Sequence, residues 1–142
     1  CYRLLLGMLE SGLQKEKAPD AIEEIRRIAS ILYRFSNQHP DYFDAIMEYE
    51  NNAIDFQKGI PDHSKEECYA LGERLLGYLI DALKRGIREG SVRGGLNVEK
   101  SALALWACTV GVFRTAKKKK YYIGNYHGIG AKSRTWFQRA FR

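Results

Sequence analysis

Between Asp20 and Gln38 the apolar residues Ile22, Ile25, Ile28, Ala29, Leu32 and Phe35 recur at the three- and four-residue spacing of an amphipathic helix. No stretch alternates apolar and polar residues for long, so the strand signal is poor along the whole chain. Every other apolar segment also repeats at helical spacing. This pattern predicts an all-α protein.

The breaks between stripes place the helices. Residues 2–16 form a first helix with Leu5, Leu6, Met8, Leu9 and Leu13 on its apolar side, ended by Lys17-Ala18-Pro19-Asp20. His39-Pro40 stops the second helix, because the residue before proline resists helical angles. Asp41 is expected to cap a third helix over 41–58, and Ser64 with Glu67 reads as a capping box opening a long helix over 64–89. Gly90 ends that helix, and Gly94-Gly95 form a turn. Asn97 caps a fifth helix, apolar nearly all round from Ala102 to Phe113, which predicts burial on nearly all sides. Lys117–Lys120 reads as the end of that helix, where cations complement its dipole; phosphate binding is the alternative. Residues 121–130 read as a loop, and a sixth helix over 130–142 places Trp136, Phe137 and Phe141 on one side. Gly72, Gly77, Gly86 and Gly111 fall inside helices, which fits close helix approach or space left for a ligand.

The chain has 142 residues, enough for one domain over 1–142 with its own core. No apolar run reaches the ~18 residues of a membrane span, so no membrane partner is expected. Three cysteines far apart, at 1, 68 and 108, argue against a disulfide framework and for a reducing cytoplasm. Charge is uneven: residues 1–71 carry a net −5, residues 72–142 a net +11, and no acid follows Glu99. The expected reading is mutual neutralisation across the fold or a dimer; attraction of an acidic partner is the rival.

Catalytic chemistry is not legible. His39, His63 and His127 sit at helix ends or in loops, and none pairs with a serine or cysteine in a recognisable motif. His63 and Cys68 straddle a loop and a helix start, which is poor chelate geometry, and no nucleotide fingerprint is present. No catalytic residue, metal or cofactor is expected. Glu48, Glu50 and Asp55 share one helix and read first as a solvated face, then as a cation-attracting patch, and last as a carboxylate pair for acid–base work. The two C-terminal helices carry more apolar surface than one small core requires, which predicts a homodimer.

Asn37-Gln38-His39-Pro40-Asp41-Tyr42-Phe43 resembles the helix junction of TetR-family transcriptional repressors. The run Gly86 to Arg93, followed by Asn97-Val98 and Ala102 through Gly111, resembles that family's long helix, corner and apolar helix, and the likeness extends from Cys1 to about Phe113. It implies the effector-binding and dimerisation domain of a repressor. Residues 1–16 would be the connector to an N-terminal helix-turn-helix domain, through which alone DNA is bound. The family architecture implies a dimer through the last two helices, here Leu105, Thr109, Phe113, Trp136, Phe137 and Phe141. It also implies a pocket between the third, long and apolar helices for a small, mostly apolar effector. Tyr33, Met47, Glu50, Ile54, Leu75, Tyr78, Trp106 and Val110 are the expected lining. Two other readings stay open: a helical homodimerisation module without a ligand, and a nucleic-acid binder using the basic C-terminal surface.

Overall fold

The computed structural model describes residues 1–51 and 63–126; among them are five helices and no strand. The helices are α1 (Tyr2–Gln14), α2 (Ala21–Gln38), α3 (Pro40–Asn51), α4 (His63–Glu89) and α5 (Val98–Tyr126). The all-α expectation holds for these residues. The sixth helix expected over 130–142, with Trp136, Phe137 and Phe141, lies outside them, as does the part of the third helix expected beyond residue 51.

Local chemistry accounts for most boundaries. The Asp20 carboxylate accepts from the Glu23 amide at 2.8 Å, satisfying one of the orphan donors of α2. Between α2 and α3 the cap differs from expectation: the His39 amide still donates to Phe35 O, while its carbonyl already accepts from the Phe43 amide. His39 therefore ends one helix and starts the next. Pro40 occupies the first helical position, where its missing N–H costs nothing, and Asp41 lies inside the first turn instead of capping it. At the far end of α4, Gly90 adopts a φ of 82°, and the amides of Gly90 and Val92 turn back to Ile87 O and Gly86 O. Asn97 caps α5 as expected, its side-chain oxygen accepting from the Lys100 amide at 2.9 Å.

Two compact units divide the chain, residues 1–103 and 104–142, and α5 begins in the first and continues into the second. In the first unit α1, α2 and α4 pack on one another, and α3 packs on α2. Phe35, Leu5, Leu9 and Ile46 are its most completely buried large side chains. The buried stripe of α2 runs through Ala21, Ile28, Ile31, Leu32 and Phe35; Ile22, expected on that stripe, is 38% exposed. Gly86 marks a close approach, since a Cβ there would stand 2.4 Å from Val92 Cγ2 and 3.1 Å from Ala21 Cβ.

α5 departs most from expectation. It continues as helix through the lysine run and on to Tyr126, so Lys117–Lys120 lies in helix interior and residues 121–126 are not a loop. Lysine is a good helix former, and four in a row do not by themselves stop a helix. Lys117–Lys120 thus stands short of the last turn, where the dipole acts. Nor is α5 covered all round: Leu103 is 57% exposed, and Ala104, Ala107, Cys108 and Gly111 are exposed with it.

Candidate functional site

α1 and α4 are joined by three polar links. Arg3 Nε donates to Glu67 Oε1 at 2.6 Å, Arg74 Nη2 donates to Glu10 Oε1 at 2.9 Å, and the Tyr78 hydroxyl donates to the same Glu10 oxygen at 3.4 Å. Both ion pairs span 64 positions, so the two helices run parallel and in fixed register. Glu67, read as half of a capping box, thus holds Arg3 of another helix. Opposite signs alternate along the seam: cation then anion on α1, anion then cation on α4. A one-turn slip would set unlike partners apart. Aromatic contact extends the start of α1 towards α3: the Tyr2 and Tyr49 rings meet edge to face at 6.1 Å, and the Tyr49 hydroxyl donates to Lys65 O at 3.1 Å.

A second junction fastens α2 and the α1–α2 connection to the C-terminal end of α4. Arg85 donates to Glu89 at 2.6 Å, to Glu24 at 3.1 Å and to the Ala18 carbonyl at 2.9 Å. The Ala21 amide donates to Glu89 at 3.3 Å. Partners descend along α4 as they ascend along α2, so these two helices are antiparallel. The Glu89 hydrogen bond is the chief reason the Arg85 guanidinium is held above its ordinary pKa. Burial lifts the Tyr78 phenol above its ordinary value, Glu10 adds to this by charge and hydrogen bond, and Arg74 works the other way.

The residues expected to line a pocket have different surroundings. Met47 on α3 and Leu75 on α4 are buried, at 5% and 4% exposure. Tyr33 on α2 is 39% exposed, and its carbonyl accepts from Ser36 and Asn37. Tyr78 offers its hydroxyl to α1. Trp106 and Val110 belong to the second unit. Ile54 and the side chain of Glu50 lie outside the described residues. Of the expected dimer residues on α5, Leu105 and Thr109 are half-buried, with the Thr109 hydroxyl donating to Leu105 O at 2.7 Å, and Phe113 is 5% exposed.

Among the described residues of the first unit are two open depressions, and none of the described residues among those eight lines either. One, of 480 Å³, lies by the Arg85 junction and mixes Lys17, Arg85 and Arg88 with Glu24, Asp81 and Glu89. The other, of 610 Å³, lies between α1 and α2, and among the described residues its charged lining is all cationic. Sequence reading missed both, together with the α1–α4 ion pairs. Only the Arg85–Glu89 pair, four positions apart on one helix, left a local signal. Among the described residues no group of three or more His, Cys, Asp or Glu side chains is placed to hold a metal ion, and no helix is long and apolar enough to cross a membrane. No protein family, curated protein or solved structure matches the chain.

Proposed function

We propose that this chain is the ligand-sensing and dimerisation domain of a TetR-like transcriptional repressor, in which a small, mostly apolar effector alters DNA binding by a helix-turn-helix domain joined through α1. The observation that carries this reading is the register lock between α1 and α4. A sensor of this kind needs its connector coupled to the helix that feels the ligand, and Arg3–Glu67, Glu10–Arg74 and Tyr78–Glu10 supply that coupling at two points of α1, two turns apart. An effector wedged beside α4 moves α1 with it, and in a dimer that motion changes the spacing of two DNA-reading heads, set at about 34–36 Å by one helical turn. The second copy docks on α5, whose outward Leu103, Ala104, Ala107 and Gly111 permit close helix approach.

The reading is tested by thermal unfolding of the 142-residue chain against a panel of drug-sized, mostly apolar compounds. An effector at 100 times its Kd stabilises the fold by about 2.7 kcal/mol. Met47→Ala is expected to lower the starting stability and to shrink the ligand-induced rise, with the oligomer intact. A panel that leaves the melting temperature unmoved, with sedimentation showing only the 16.3 kDa monomer, sinks the proposal.

A further inference from the structure

The 610 Å³ groove between α1 and α2 has a composition that selects its occupant. Leu4, Gly7 and Met8 of α1 and Ile31 of α2 form its apolar part, and Leu4 is 39% exposed there. Gly7 leaves the groove open: no heavy atom stands within 4 Å of the place a Cβ would take. Arg3, Lys15 and Arg34 are its charged lining, and no carboxylate joins them. Arg3 shares Glu67, whereas Lys15 and Arg34 form no ion pair among the described residues.

Size and charge narrow the choice. From Arg3 to Lys15 the groove follows α1 for roughly 18 Å at ~1.5 Å per residue, and its volume falls in the ~300–1,000 Å³ span of small-molecule sites. A second copy of the chain presenting this face would set three cations against three, so the surface disfavours self-pairing. A neutral apolar compound would leave the cationic rim unused. We infer that the groove binds a single-chain anionic amphiphile, a fatty acid or a chemically similar alkyl anion. Its carboxylate sits in the positive field the three cations set up along the groove without touching all of them, and its chain lies over Leu4, Gly7 and Met8. This site is separate from the effector pocket proposed above, and neither depends on the other.

Dodecanoate, below its micelle concentration, is the probe, titrated calorimetrically into the whole chain. The expected result is saturable 1:1 binding, with dodecylammonium binding far more weakly. Gly7→Leu fills the groove and improves helix propensity, so it is expected to abolish binding while circular dichroism and melting stay unchanged or improve. Lys15→Gln and Arg34→Gln each weaken binding about two- to fivefold, the range for exposed charge contacts, and Lys100→Gln has no effect. Equal binding of dodecylammonium overturns the assignment. So does dodecanoate binding that survives Gly7→Leu, and its loss in Met47→Ala would then move the ligand to the effector pocket. Cosedimentation with vesicles containing anionic phospholipid, sensitive to Gly7→Leu and unaccompanied by dodecanoate binding, also overturns it by making the groove a membrane contact.

Discussion

The first and last helices of the described chain treat their charges in opposite ways. Arg3 and Glu10 of α1 each meet an opposite charge on α4. α5 has no acid after Glu99, and Arg114, Lys118 and Lys119 stand exposed along it. Their apolar residues differ in the same sense. α1 buries Tyr2, Leu5, Leu6 and Leu9, while α5 turns Leu103, Ala104, Ala107 and Cys108 outwards. A helix whose charges alternate in sign finds matching positions on a neighbour and is locked there. A helix whose charges after its first turn are all cations, with small residues exposed beside them, has no such matched seam of its own.

This contrast is tested most severely in the core of the first unit. Phe35 is fully buried, so Phe35→Ala is expected to cost about 3–5 kcal/mol, read as a lower urea midpoint at unchanged slope. On the α5 side, Ala107→Glu is expected to change the stability of the isolated chain by no more than about 0.5 kcal/mol, as exposed substitutions do. If the proposed dimer forms through this face, the same substitution is expected to shift sedimentation towards monomer. Unchanged self-association in that variant would remove the outward face of α5 as the seam and erase half of the contrast.

Smaller effects sharpen the α1 side. The side chains of Arg3 and Glu67 are 77% and 46% exposed, so their coupling in a double-mutant cycle is expected at about 0.2–1 kcal/mol, falling as salt rises. The swap Arg3→Glu with Glu67→Arg is expected to recover what either reversal alone loses. No recovery would mean that packing, not charge, sets the α1–α4 register. The smallest signal is at Tyr78. Its phenol pKa is raised in the folded chain, so the fold binds this proton more tightly than the unfolded chain does. The resulting stabilisation is fully present below the ordinary tyrosine pKa of about 10 and is lost as pH climbs through the folded value. Absorbance titration should show a late-ionising tyrosine component that is lost in Tyr78→Phe and ionises earlier in Glu10→Gln.

Much of the local architecture was legible beforehand. The Asp20 and Asn97 caps, the Gly90 stop and, Ile22 apart, the core of the α2 stripe each depend on residues within about one turn, and the structure has them where the spacing put them. The errors had local causes too. Asp41 looked like a cap because aspartate favours caps, yet His39-Pro40 set the helix start first. Lys117–Lys120 looked like a helix end because cations favour that position, yet lysine also propagates helix, and α5 runs on. Of the candidate site, the burial of Met47 and Leu75 followed from periodicity, but the facing of Tyr78 did not.

By itself, then, the sequence determined that the chain forms helices, roughly where they start and stop, and which residues prefer burial. Those preferences arise from backbone sterics, capping and hydrophobic spacing over three or four positions. Only the tertiary structure decided that Arg3 meets Glu67, that Glu10 serves both Arg74 and Tyr78, and that the small-residue face of α5 points outwards. Such pairings join positions more than sixty residues apart. Many partners of suitable charge exist along the chain, and the relative axial position of packed helices selects among them.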